Sequence, residues 1–321
     1  MGTVIALLSP GQGAQSPGML QPWLELDGAG EFLDDLSAAA DLDLRHLGTT
    51  ADAETIKDTQ VAQPLIVATS LLSARALQDR LGRSDQQGPS DQQGPSDWIG
   101  VTAGHSVGEY AAVALAGILS PADAVSLVAT RGRAMAEAAA QEPTGMSAVV
   151  GGKPEEVQQA LDAHDLVGAN VNGGGQVVAA GRLSDLEALG QEPPARARVI
   201  PLAVAGAFHT RFMAPAVETV RAAAAGLQPQ DPQVRCLSNA DGGPLTSGAQ
   251  ALDRLVTQIS TPVRWDLCQA TMLDDGVDAA IELAPGGVLT GLARRGMRGV
   301  QTVALKSPED LDAAVELITS H

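Results

Sequence analysis

Aromatic rings are scarce in this chain. Phe, Tyr and Trp make up 2% of its 321 residues, so Ala, Val and Leu have to fill the core. The apolar share of 45% is enough for one large domain, or a large domain carrying a small one. Cysteine is nearly absent. Cys236 and Cys268 have neither metal-ligand nor redox-motif spacing, which excludes a disulfide framework and fits a reducing cytosol. Positive charge is in deficit, with 20 Lys and Arg against 38 Asp and Glu and a net charge of −18. That balance argues against general binding to nucleic acid or a membrane surface, and there is no basic block. No run reaches ~18 uninterrupted apolar residues, so no transmembrane helix is expected. Met1 to Leu8 lack a basic leader and run straight into a Gly-rich loop, so they read as a first strand rather than a signal peptide. The expectation is a cytoplasmic protein with no metal site.

What is present is organised around Gly104-His105-Ser106-Val107-Gly108. Trp98 to Ala103 upstream reads as a short buried strand, and Glu109 to Ala116 downstream is rich in helix formers. Strand, G-x-S-x-G and helix form the context of a nucleophile elbow. There the serine sits on a strained turn, and a Cβ on either flanking glycine would crowd the backbone. The helix N-terminus would then face the reacting carbonyl and stabilise an oxyanion. A Gly-rich turn with an incidental serine is the plainer alternative.

Pro10 to Gln15 form a Gly-rich loop after the first strand, at the end of a sheet where ligands bind. It has neither the spacing nor the Lys of a phosphate loop. It is a plain turn, or a loop presenting backbone donors and Gln12 to a site. Residues 21–60 read as surface helices and connections. Val61 opens a helix running to about Leu81, with Pro64 in its first turn and Gln63 as a polar cap or a site residue. Ser84 to Pro95 is a perfect hexapeptide duplication, and 84–97 reads as an exposed, mobile insertion. Ser120-Pro121-Ala122-Asp123 starts a helix that places Ala124, Val128, Arg131 and Met135 on one face. An Arg inside an apolar stripe either snorkels to the rim or holds a rigid guanidinium fork for a carboxylate.

Residues 141–206 change character and read as βαββαβ, a ferredoxin-like subdomain inserted into a large domain made of 1–140 and 207–321. The large domain is expected to be α/β-hydrolase-like, with a parallel sheet. Among five histidines, His209 alone sits at a strand-to-helix exit outside the elbow, where a general base could face Ser106. No third acidic member is identifiable, and a backbone carbonyl could orient the imidazole instead. Ser, His and oxyanion donors together make acyl-transfer machinery. Arg131 separates the classes. A generic esterase has no need of a buried carboxylate clamp, whereas an enzyme moving a dicarboxylic half-thioester does.

From Thr3 to the final helix, the chain resembles the malonyl-CoA:acyl carrier protein transacylases, most of all their actinobacterial branch. The resemblance rests on Pro10 to Gln15, Gln63, Gly104 to Glu109, Arg131-Gly132, Asn170-Val171-Asn172, Gly206 to His209 and Pro285-Gly286-Gly287. The duplicated segment departs from the family pattern. The resemblance implies that Ser106 is acylated, that His209 is the general base oriented by the Gln258 carbonyl, and that Arg131 grips the malonyl carboxylate. It implies an oxyanion hole of the Gln12 and Val107 N–H groups, with Gln63 and Asn172 lining the site. Phe208 resembles the malonyl-selective version of its motif. Malonyl-CoA is then a substrate, no cofactor is bound, and the partner is a phosphopantetheinylated acyl carrier protein. A monomer is expected. Arg294, Arg295 and Arg298, with Arg133 and Lys306, are the candidate docking cations. Other readings are a free-standing acyltransferase serving a polyketide synthase, a serine esterase, and a non-catalytic malonyl-CoA-binding protein.

Overall fold

The computed structural model describes residues 4–82 and 98–320, so the duplicated hexapeptide and the 84–97 insertion lie outside the described residues. Ten strands form among them: β1 (Val4–Ser9), β2 (Val101–Gly104), β3 (Thr144–Gly151), β4 (Val167–Gly173), β5 (Gln176–Arg182), β6 (Ala197–Pro201), β7 (Cys236–Leu237), β8 (Val263–Arg264), β9 (Val277–Glu282) and β10 (Gln301–Ala304). They make two sheets. The first, in the order β10-β9-β1-β2-β7, is parallel throughout. The second runs β6-β3-β5-β4-β8 and is antiparallel except where β4 meets β8. The fold is mixed α/β with a parallel sheet.

The central strand shows why that sheet forms. Val4 to Ser9 is an almost continuous apolar run, as expected of a strand covered on both faces. Side chains alternate across a strand. Ile5 and Leu7 therefore enter the cluster built with the helices Thr59–Arg80, Gly108–Leu115 and Pro121–Ala139. Ala6 and Leu8 enter a second cluster with Trp265, Leu289 and Leu292 on the opposite face. Trp23, Tyr110 and Trp265 are buried, so the few rings are spent in the core.

The second sheet is built from 144–201 in the chain order strand, helix, two strands, helix, strand, with helices Pro154–Ala163 and Leu183–Gln191. β8, from much further along the chain, adds its edge to β4.

Several elements differ from the sequence expectation. Asp58 caps the long helix by accepting the Gln60 N–H at 3.0 Å, so that helix starts at Thr59 and Pro64 lies inside it. Pro64 has no N–H to return to the Gln60 carbonyl. The strand before the elbow is Val101–Gly104, because only from Val101 does it pair in register with β1. Val234 to Asn239 is apolar enough to read as a strand, but only Cys236–Leu237 forms one. Ser238 turns back to the Gly243 carbonyl, and the Asn239 N–H goes to Glu109 instead of a neighbouring strand.

Ser9, Gly104 and Glu282 end three neighbouring parallel strands at the same edge, where open sheets hold ligands. The buried Glu282 carboxylate accepts the Leu289 and Thr290 N–H groups at 2.8 Å each, capping the helix Val288–Gly296. Glu282→Ala leaves both donors buried and unpaired. It is expected to cost roughly 2–4 kcal/mol of unfolding free energy in urea titrations, with Glu282→Gln losing less.

Candidate active site

Ser106 sits at the tip of the turn between β2 and the helix Gly108–Leu115, with φ +53°. A serine in the left-handed region is strained, and its neighbours hold it there. A Cβ on Gly104 would strike the Gly108 backbone, and one on Gly108 would strike the Ser9 carbonyl. Glycine at both positions lets the turn close against β1. The turn is then pinned from outside. The Asn239 side chain accepts the Ser106 N–H at 2.7 Å and donates to the Gly104 carbonyl at 2.7 Å. With the Ser106 N–H engaged, the N–H groups of Val107 and Gln12 are left without an acceptor among the described residues.

His209 follows β6 in an irregular stretch and also has a positive φ, of 61°. Its Nε2 is 2.6 Å from Ser106 Oγ, and its Nδ1 is 2.7 Å from the Gln258 carbonyl. The second contact fixes the tautomer, since Nδ1–H donates to the carbonyl and Nε2 is free to accept. Burial, and then the Arg131 charge, push the His209 pKa down to about 3. The imidazole is therefore neutral at rest, as a base must be.

Arg131 is 1% exposed, which removes the snorkelling alternative. Its Nη1 donates to Gln63 Oε1 at 2.7 Å and its Nη2 to Gln258 Oε1 at 2.9 Å. The guanidinium lies 5.5 Å from the Tyr110 ring centroid. Its Nε has no partner, and no carboxylate pairs with it among the described residues. Gly132 makes this possible. A Cβ there would meet the Thr59 carbonyl, so glycine lets the helices of Arg131 and Gln63 approach closely. A buried cation with unused donors is a costly arrangement unless an anion arrives.

Gln258 joins these parts. Its Oε1 serves Arg131, and its Nε2 donates to Glu109 Oε2 at 2.5 Å and to the Ser106 carbonyl at 3.0 Å. Glu109 also accepts the Asn239 N–H at 3.2 Å. Burial pushes its carboxyl up to about 7, against the pull of these hydrogen bonds and Arg131.

Sequence reasoning did not single out Asn239 or the role of Glu109. Their signals were an acid opening a helix of Ala and Val, and a Ser-Asn pair ending an apolar stretch. Asn172, on β4, bonds His105 Nε2 at 2.8 Å and so braces the turn across the two sheets rather than reaching Ser106. Gln12 is half-buried, with its amide toward Thr59 Oγ1 at 3.5 Å. Val107 and Phe208 are buried in the main cluster. Among the described residues, no group of three or more His, Cys, Asp or Glu is placed to hold a metal ion.

The family model described as the acyl transferase domain matches residues 7–309. The malonyl CoA-acyl carrier protein transacylase of Mycobacterium tuberculosis (strain ATCC 25618 / H37Rv) is 54% identical over 98% of this chain and all of its own. The chain belongs to this transacylase family. The crystal structure of MCAT from Mycobacterium tuberculosis matches with a TM-score of 0.90 over 97% of this chain and 99% of that one. A complex titled as a type II PKS acyl-carrier protein with its malonyl-transacylase matches with a TM-score of 0.88 at 28% identity, over 98% of this chain and 99% of that one.

The neutral His209 sets a pH dependence. An unfolded histidine binds a proton below about 6.5, while the folded one does not until about 3. Stability is therefore lost as pH falls below 6.5. Between pH 7 and pH 5 this site costs about 2 kcal/mol, and urea midpoints of His209→Gln should fall less steeply over that interval.

Proposed function

We propose that this family member transfers a malonyl group from malonyl-CoA to the phosphopantetheine thiol of an acyl carrier protein, supplying extender units for fatty acid synthesis. The observation that carries the roles is the single frame joining Ser106, His209 and an unpaired, buried Arg131. Ser106 passes its proton to His209 Nε2 as Oγ attacks the thioester carbon. The Gln12 and Val107 N–H groups receive the oxyanion. Collapse expels the CoA thiolate, which takes the proton from His209. The carrier thiol then gives its proton to His209 and attacks the malonyl-serine, and Ser106 leaves reprotonated. Arg131 holds the malonyl carboxylate through both half-reactions. Gln63 orients Arg131, Asn172 braces the turn, and the bulk of Phe208 disfavours a branched acyl group. Every proton is accounted for by Ser106 and His209, so the reaction calls for no bound cofactor.

On this reading, the parallel sheet is the α/β-hydrolase-like domain of 1–140 and 207–321. The strand order β6-β3-β5-β4 supports a ferredoxin-like subdomain at 141–206. One chain supplies every group named, so a monomer is the working unit. A cytoplasmic location suits its substrates, and no helix among the described residues is long and apolar enough to cross a membrane.

The carrier protein docks near Arg295, whose side chain lies against Gly174, two residues from Asn172. Arg294, Arg295 and Arg298 are exposed and make no ion pair among the described residues. Lys306 lies beside Gly287, whereas Arg133 points to the Ala40 carbonyl.

Intact-protein mass spectrometry after brief exposure to malonyl-CoA should show one added malonyl group, absent in Ser106→Ala. In Arg131→Ala, kcat/KM for malonyl-CoA should drop roughly 100-fold. Hydrolysis with no acylated enzyme would favour an esterase. Charge reversal at Arg294 and Arg295 should raise KM for carrier protein about tenfold without changing acylation by malonyl-CoA.

A further inference from the structure

Arg131 is a buried cation, and the molecule must balance it without occupying it. Beside the face of the Tyr110 ring at 5.5 Å, the described residues around it and around Glu109 offer one acid to do so. Burial pushes Tyr110 up to about 12 and raises both Cys236 and Cys268, so all three are neutral. His209 is neutral as well. Glu109, 1% exposed, is the remaining acid, and Arg131 is the cation whose charge acts on it.

The two do not touch. The Gln258 amide stands between them, accepting from Arg131 at 2.9 Å and donating to Glu109 at 2.5 Å. Arginine is donor-only and a carboxylate is acceptor-only. A group with both an acceptor and a donor is needed to meet both while keeping them apart, and the Gln258 amide is that group here. A carboxylate placed directly on Arg131 would take up its fork, whereas here Nε stays unpartnered.

We propose that Glu109 is the resident counter-charge of Arg131, held one amide away by Gln258, and that it sets how strongly Arg131 grips an incoming carboxylate. Glu109 touches no reacting atom and acts through Gln258 and Arg131. In its ionised form, which burial limits to about half of the molecules near pH 7, it stabilises the empty, buried guanidinium and opposes the second anion that the substrate brings. The site holds the carboxylate firmly enough to select it and loosely enough to let it go once the acyl group has passed to the carrier thiol. This inference rests on reading Arg131 as the carboxylate clamp.

The test uses the full chain with malonyl-CoA and with acetyl-CoA, which lacks the carboxylate. Glu109→Gln keeps the shape and removes the charge. It should lower KM for malonyl-CoA by about 3- to 30-fold and leave KM for acetyl-CoA within about twofold. A malonyl-to-acetyl ratio of kcat/KM that stays unchanged or falls overturns the proposal. Arg131→Gln is the control: if it spares that ratio, the clamp reading itself fails. A second readout needs no activity. Arg131→Gln leaves Glu109 buried without its cation and should lower Tm by roughly 5 °C, and adding Glu109→Gln should restore most of the loss. Additive losses in the double variant overturn the proposal.

Discussion

The side chain of Gln258 accepts from Arg131, donates to Glu109 and to the Ser106 carbonyl, and its main-chain carbonyl accepts from His209. One residue thus touches the buried guanidinium, the buried Glu109 carboxyl, the turn that carries Ser106 and the His209 imidazole. The arrangement works because an amide has a donor end and an acceptor end a fixed distance apart. Replacing it with a carboxylate would pair Arg131 outright. An apolar residue would leave a buried guanidinium and a buried carboxylate each short of a partner, a cost of several kcal/mol.

The strain in the elbow is held by the same neighbourhood. Ser106 and His209 both have left-handed backbones, and each is over-determined by contacts from elsewhere in the chain. Asn239 grips the turn on both sides of the serine, while Asn172 braces His105 from the second sheet. The two sheets are therefore joined at the site by hydrogen bonds as well as by apolar clusters that both enter. Backbone and side chain divide the labour. Ser106 N–H is spent on structure, whereas the next N–H, that of Val107, has no acceptor among the described residues.

Much of the site was legible because its signals are local. The glycines around Ser106 are demanded by sterics within five residues, and the structure shows the clashes that a Cβ would cause. Arg131 stood out because a charge interrupted an apolar helical face, and it is buried on that face beside Met135. Helix starts with side-chain caps were readable too, as at Ser120, whose hydroxyl accepts the Asp123 N–H at 3.0 Å. Less legible were short strands. Trp98 to Gly100 looked as much like strand as Val101 to Gly104, and only pairing with β1 separates them. From sequence, Pro64 falls in a first turn, because a proline gives no sign of a cap six residues upstream.

The sequence by itself determined the groups that meet: the serine on its turn, the one histidine outside the elbow placed to reach it, and the arginine set in an apolar helix face. Each depends on residue type and near neighbours, which the chain order preserves. Tertiary structure alone decided how those groups are held and charged. Glu109 and Gln258 are 149 residues apart, and Arg131 and Gln258 are 127 apart. No local pattern records such partners, since burial and the direction of a side chain are set by packing several elements at once. Whether Glu109 is an ordinary helix acid or the counter-charge of a buried cation is a property of the folded interior.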